Sequence, residues 1–548
     1  MRFGLLVNGP FLQRWQYQTV QHLLDDGHIL VVAVGREETF QPVSFFSKVA
    51  KYPYQWFIYR FWQRFFFRPK AKNIIDIREI LTGIDTIKCL PEVRGKTEWI
   101  PDEVVGRVRQ HNPDFLLRFG FNIIRGGILE AAVYGVWSFH HDDEQVIRGG
   151  PPGFWEVFNG HNTNGVMLQR LTEKLDAGPI IDKIWLPVIR HSYKAHLDML
   201  LSESAFMPAR ACRSIALHGV KTRVPETVGR LYRNPKNMSM LRFMLKIPAR
   251  RIGFHLQQLF RQESWCIGLA VADHKTMTIR PELSDLSVRW IKHPDRTQYF
   301  ADPFIVDFQG QTIILAEHFS YHTGRGRLVR LLPENDYQAV EVQTPDELHR
   351  SFPFLFVHGG KLFCLPECYT SRTITLFEFN PDNNHLENPR VLLRNVDALD
   401  PLLFEHEGRW WLLYSRKHLP GIQLFAWYAE SPFGPFRPHR LNPLKTDPRS
   451  TRNAGAPFMM NGFLIRPAQD IAGSYGKAVV MNRVEVLTPE DFSESPLGRL
   501  EPDSSWQFNQ GLHTFNGNGN LIVLDAKTYR FSLAGFRHVW KQKTARKV

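Results

Sequence analysis

DPFIVDFQGQTIILAE (Asp302–Glu317), FPFLFVHGGKLFCLPE (Phe352–Glu367) and DPLLFEHEGRWWLLYS (Asp400–Ser415) share one design. Each begins with a residue followed by proline, runs through an apolar strand, turns on a glycine and returns along a second apolar strand. The turn glycine stands eight residues after the start in all three (Gly310, Gly360, Gly408). Two shorter copies follow, APFMMNGFLIRPAQ from Ala456 and HTFNGNGNLIVLDA from His513, with Gly462 and Gly519 six residues in. Successive starts are 50, 48, 56 and 57 residues apart. One hairpin per repeat at that period is the signature of a four-stranded blade, so five copies predict an all-β five-bladed propeller over 263–548.

In such a repeat the start of each inner strand faces the shared axis, where polar residues converge. Asp302, Asp400 and His513 hold that position, with Phe352 where an acid would be expected. Glu317 and Glu367 close the first two hairpins, and Arg452, Arg466, Gln469 and Asp470 gather around the fourth. Paired carboxylates with separated pKa values are the requirement for glycoside hydrolysis. Asp-Pro is also a turn element, so the same acids read equally as structural. This half resembles the five-bladed furanosidase-like glycosidases. Through FADPF, LDPLLFEHEGRWWLLYS, RNAGAPF, NGFLIRPAQD and LHTFN it resembles more closely the propeller domain of glucosamine inositolphosphorylceramide transferases. The resemblance implies glycan-facing roles for Asp302, Glu317, Glu367, Asp400, Arg452, Arg466, Gln469 and His513.

The N-terminal half alternates differently. GLLVNGP–FLQRWQYQTVQHLLDDG–HILVVAVG reads strand, helix, strand, and helices over 101–112 and 126–134 flank the apolar strand DFLLRFGFNII. That alternation predicts a parallel sheet covered on both faces, with ligands beyond the strands' carboxyl ends. One such end carries SFHHDDEQVIRGGPPGFWEVFNG (Ser138–Gly160). Here a histidine, an Arg-Gly pair eight residues later (Arg148-Gly149) and Asp176-Ala177-Gly178 resemble the folate-dependent formyltransferases. The resemblance implies an α/β Rossmann-like formyltransferase domain. It further implies His140, Asp176 and Ser138 as catalytic residues, and 10-formyltetrahydrofolate bound near Arg148, Gly149, Gly150 and Gly178. Where that family has asparagine this chain has Ser138. Three alternatives follow: serine substitutes, Asn159, Asn162 or Asn164 assists, or transfer is lost. The run His140-His141-Asp142-Asp143-Glu144 has metal-ligand residue types, but neighbours on an extended chain point to opposite sides, and no metal site is expected.

The 548 residues carry a net charge of +14, concentrated in two places. Residues 40–73 hold seven basic side chains, no acidic one and many aromatics, the composition of a core-packing insertion with a solvated basic face, of an anionic lipid interface or of a stacking groove for bases. Residues 219–262 hold ten basic side chains against Glu226, on a pattern of amphipathic helix interrupted at Pro248. Five scattered cysteines exclude a disulfide framework. The apolar start MRFGLLVNGPF reads as a buried strand rather than a signal peptide.

These readings give three segments: 1–218, an α/β domain with the insertion 40–73; 219–262, a basic helical linker; and 263–548, the propeller. The expected function is transfer of a formyl group from 10-formyltetrahydrofolate to the amine of an amino sugar, with the propeller recognising the glycan. The alternative is a glycan-binding or glycosidase propeller beside a degenerate transferase. The expected location is the cytoplasm, with peripheral membrane contact through 43–70; nucleic acid is not the expected partner.

Overall fold

The computed structural model describes the chain except residues 38–53, 175–176, 227, 280–282, 284–285, 294, 418–420 and 546–548. It divides into two compact units, Met1–Arg251 and Ile252–Val548. The expected linker 219–262 falls across this division, because the helix Asn237–Phe260 runs through Pro248 without a break. Pro248 removes one N–H from the ladder yet leaves the helix continuous.

The first unit is built on a seven-stranded sheet. Its spatial order is Ile180–Pro187, Thr163–Arg170, Val136–His140, Phe115–Arg118, Arg2–Val7, Ile29–Arg36 and Asp85–Cys89. The last five run parallel, and Thr163–Arg170 alone is reversed, pairing antiparallel with both Val136–His140 and Ile180–Pro187. Both faces are apolar, as a covered parallel sheet requires. On one side Leu6, Val32, Val34 and Ile87 pack with Val104, Val105 and Val108 of the helix Asp102–Gln110. Phe115 stacks on Trp137 with ring centroids 3.9 Å apart. The helix expected over 126–134 is a single turn, Gly127–Glu130. Glycines with positive φ stand at Gly126, before it, and at Gly135, after it.

The second unit contains five four-stranded antiparallel sheets among the described residues, one of them extended by the short strand Lys445–Thr446. Each of the five sequence hairpins opens one of them. The unit's first strand, Gln262–Val271, pairs with its last, Leu521–Arg530, through ten residue pairs. The unit's first and last strands therefore share a sheet, which removes two free edges.

In the three long repeats the strand bulges at its start, between Ala301 and Phe304, Ser351 and Phe354, and Leu399 and Leu402. The residue before proline then adopts positive φ: Asp302 at 51°, Phe352 at 47° and Asp400 at 46°. This conformation is sterically costly for a residue with a side chain. Phe352 keeps the backbone of the missing acid without its carboxylate.

Candidate functional sites

At the carboxyl ends of the parallel strands, Ser138 and His140 project from one face of Val136–His140, and Ser138 pairs across to Gln169. Ser138 is buried, and its Oγ accepts from Arg118 Nε at 3.2 Å and Nη2 at 3.0 Å. Arg118 also donates to the carbonyl of Asn122 at 2.5 Å. Burial lowers the pKa of Arg118, with the Glu98 carboxylate opposing. Glu98, itself buried, accepts from Arg36 at 3.0 Å and from the Asn122 side chain and backbone. His140, Arg118, Asn122, Gln169 and Gly178 line a cavity of about 70 Å³. That volume suits a small polar group, well below the several hundred Å³ of a whole-ligand pocket.

The other expected cofactor residues stand apart from this cavity. Arg148 Nε donates to the Gly229 carbonyl at 2.8 Å, and Ile147–Gly149 pairs with Arg230–Tyr232. A side chain at Gly149 would overlap the carbonyl of Tyr232, and one at Gly178 that of Arg170, so both glycines answer to packing. Gly150 has open space around it and accepts at its carbonyl from Trp155. Asp176 lies outside the described residues. The asparagines considered as helpers are engaged elsewhere: Asn164 with the Gly165 carbonyl and His196, and Asn162 with Arg190. Asn159 ends the helix Phe154–Asn159. Arg118 is the donor beside Ser138, and no local motif announced it.

The acidic run is also resolved. Asp143 and Glu144 both bind Lys183 Nζ, at 2.8 and 2.7 Å. His141 is buried against Ser204, and desolvation pulls its pKa down to about 3. Asp143 and Glu144 thus share Lys183, while His141 turns to Ser204.

In the second unit the predicted polar residues do converge, but as an interior network. Asp302 N donates to Asp525 at 2.8 Å, Phe352 N to Asp302 at 3.2 Å and Asp400 N to Glu367 at 2.9 Å. Each strained start residue thus places its N–H on a buried carboxylate. Asp400 is held by Arg452, and by Gln469 at 3.0 Å. His513 Nδ1 meets Asp525 at 2.6 Å, its Nε2 faces Asp302 at 3.4 Å, and its ring stacks on Trp265 at 3.8 Å. Asp302, His513 and Asp525 offer three ligand atoms within 4.8 Å of one another, a candidate metal group the sequence reading did not foresee. All three are engaged in the hydrogen bonds just described.

Burial and the neighbouring carboxylates Asp525 and Asp400 push Asp302 up to about 6 against the opposing His513. Burial and Asp400 push Glu367 up to about 8, and burial with the surrounding acids raises Glu317 well above the carboxylate range. Burial and the Asp400 carboxylate thus favour the neutral form of Glu367 in the folded chain. A raised carboxyl pKa makes stability fall as pH rises from the unfolded value, 4.5, towards 8. Glu367→Gln, which keeps the neutral form, is expected to flatten the loss of melting temperature over that window; an unchanged profile in thermal melts at stepped pH would refute the assignment.

Arg466 corrects the glycan-facing expectation most plainly. It is 1% exposed and binds Glu494, Asn453 and the carbonyls of Ser450 and Thr451. None of the eight expected glycan residues lines the unit's large cavity. That cavity, of 510 Å³, is lined instead by Tyr475, Glu263, Tyr321, Tyr529, Arg261 and glutamines including Gln258. Tyr475, 36% exposed, separates it from the buried network, with Arg452 5.0 Å from its ring and His513 packed edge-on at 5.5 Å. Tyr321 is fixed by donating to the Glu263 carbonyl at 2.8 Å. Aromatic faces, amides and a carboxylate around one concavity are the equipment of a site for a polar, ring-shaped ligand such as a sugar.

Fold and site define the second unit as a repeat scaffold of antiparallel sheets with a polar interior and one large aromatic cavity. Residues 292–524 match the family described as "Glucosamine inositolphosphorylceramide transferase 1, N-terminal". The chain is 29% identical over 211 residues to glucosamine inositolphosphorylceramide transferase 1 of Oryza sativa subsp. japonica, covering 37% of this chain and 28% of that one. It is 29% identical over 231 residues to the enzyme of the same name from Arabidopsis thaliana, covering 40% and 29%. The chain thus spans less than a third of the length of these curated relatives. Among solved structures it is similar to a thermostable family-43 glycoside hydrolase, with TM-score 0.31 and 14% identity over 42% of this chain and 86% of that one. It is also similar to glycinamide ribonucleotide transformylase 1 from Symbiobacterium toebii, with TM-score 0.28 and 17% identity over 41% and 94%.

Proposed function

We propose that this chain is a transferase of glycan or glycolipid assembly. In this reading the first unit moves a formyl group from 10-formyltetrahydrofolate to the amine of an amino sugar. The second unit, a five-bladed propeller, holds the glycan in the cavity beside Tyr475. The observation that carries the reading is that His140, Arg118 and Gln169 line one cavity at the carboxyl ends of the parallel strands, with Ser138 hydrogen-bonded to Arg118 behind it. The matched relatives are named for glucosamine, which is an amino sugar.

The chemistry needs a proton carrier and an oxyanion donor. The amine attacks the formyl carbon, the carbonyl electrons move onto oxygen, and the bond from carbon to the folate nitrogen then breaks. His140 accepts the amine proton and returns it to the departing nitrogen. Ser138 Oγ already accepts twice from Arg118, so its own O–H remains to donate to the oxyanion, polarised by the cation behind it. This answers the loss of the family asparagine. Asp176 is the carboxylate proposed to orient His140. The cavity takes the reacting end of the cosubstrate, and the reaction is assigned to the cytoplasm.

Incubation with 10-formyltetrahydrofolate and glucosamine-bearing acceptors tests the reading: a formyl mass gain on the acceptor is expected, and none from folded protein refutes it. A second reading, glycan binding beside a retired transferase, is favoured by the direct Arg118–Ser138 contact if that hydroxyl serves packing only. Under both readings Tyr475→Ala is expected to weaken glycan binding about tenfold in calorimetry, the loss of one aromatic face. Unchanged affinity would remove the cavity from the proposal.

A further inference from the structure

The two basic segments of the sequence, far apart along the chain, meet in the first unit. The helix Phe57–Phe65 is pinned to the helix beginning at Asn237: Ile58 N donates to Asn237 Oδ1 at 3.0 Å, and Asn237 Nδ2 donates to the Tyr54 carbonyl at 2.8 Å. Behind this contact Trp62 packs on Phe243 and stacks on Phe67 at 4.5 Å, while Tyr59 is buried. The outward side is apolar as well. Phe57, Phe61 and Phe65, one turn apart on one face, are 67%, 49% and 57% exposed. On the neighbouring helix Leu241, Met244 and Leu245 are exposed, while Met240 and Phe243 are buried.

The charges carried by these two segments have one sign. Arg64, Arg68 and Lys70 are exposed beside the phenylalanines, and Arg242 and Arg251 beside the leucines. No aspartate or glutamate occurs in 54–73 or in 237–251. No helix of the described residues is long and apolar enough to cross a membrane. An apolar row with a cationic surround, on one short helix and one long helix too polar to span, is the architecture of an interfacial anchor.

We propose that this two-helix face docks on an anionic bilayer surface, its phenylalanines entering the headgroup boundary and its arginines meeting lipid phosphates. The aliphatic row decides against single-stranded nucleic acid, because leucine and methionine offer bases nothing to stack on. Phe57, Phe61 and Phe65 also occupy one another, with centroids 6.2 and 4.9 Å apart, rather than standing free as stacking platforms. The inference is independent of the chemistry at His140.

The test is co-sedimentation of the full chain with vesicles of phosphatidylcholine alone and of phosphatidylcholine mixed with phosphatidylserine. Binding to the mixed vesicles, weakened by salt, is expected. F57Q/F61Q/F65Q is expected to reduce that binding about tenfold or more, and R64E/R68E to abolish the preference for anionic lipid. All five positions are exposed, and unchanged circular dichroism and melting will show that the variants fold. Wild type remaining in the supernatant with both vesicles, or the phenylalanine variant binding equally, overturns the proposal. So does binding of a single-stranded oligonucleotide in place of vesicles, or self-association in sedimentation equilibrium that the phenylalanine variant abolishes.

Discussion

Arg466→Ala is expected to destabilise the second unit by about 3–5 kcal/mol, the cost of leaving one partner of a buried ion pair uncompensated. Arg466 donates to Glu494 through Nε at 2.8 Å and Nη2 at 2.7 Å, and its remaining donors satisfy Ser450, Thr451 and Asn453. Burial works against the charge of Glu494, yet Arg466 and Lys445 hold its carboxyl down at about 2. A depressed carboxyl pKa contributes stability that is present above the unfolded value, 4.5, and is lost as pH falls towards 2. The variant is therefore expected to melt lower at neutral pH and to lose part of that acid-range slope. Replacing both partners, R466M/E494M, is expected to cost less than Arg466→Ala, since the one charge it releases, Lys445, is partly exposed and keeps its hydrogen bond to Ser450 Oγ at 2.6 Å. Denaturant titrations at neutral and acidic pH would measure both. A variant as stable as the parent would mean that Glu494 finds full compensation in Lys445, 2.8 Å away.

His140→Ala carries the largest expected effect on activity: a fall in kcat of about 10²–10⁴-fold in formyl transfer, with KM for the acceptor little changed. The split matters, because a histidine serving only to pack the strand end would change stability and KM together. Arg118→Met extends the test. Losing the cation behind Ser138 is expected to lower kcat by ~10²-fold, comparable to removal of an oxyanion donor, and no effect on kcat would return Ser138 to a packing role. Single-turnover measurement of product formation with saturating cosubstrate reads the chemical step directly.

Much of the second unit was legible because a hairpin repeat writes its period into the chain. Start residue, turn glycine and apolar alternation recur, and five sheets follow from them. The role of the polar residues was not legible. Asp302, Asp400 and Glu367 looked like a reactive set because carboxylates converge. Their first task here is to accept the N–H groups of residues forced into positive φ before proline, or to carry that strain themselves. Asp525 was hidden inside LIVLDA, where an acid in an apolar strand was the only trace of it. Tyr475 and Glu263 gave no signal, since a cavity wall is assembled from residues hundreds of positions apart.

In the first unit the spacing of His140, Arg148 and Asp176 pointed to a site at a strand end, and the parallel sheet places His140 there. Arg118 was out of reach because it belongs to the adjacent strand, and strand order is a property of the sheet rather than of local sequence.

Periodicity and local charge are functions of neighbours along the chain, so the two kinds of architecture, the five-fold hairpin repeat and the two basic segments are written in the order of the residues. That Arg466 is interior, that Ser138 rests against Arg118 and that the described parts of the two basic segments share a surface came only with the folded chain. Burial and pairing depend on which distant side chains exclude water together, and no local pattern encodes that.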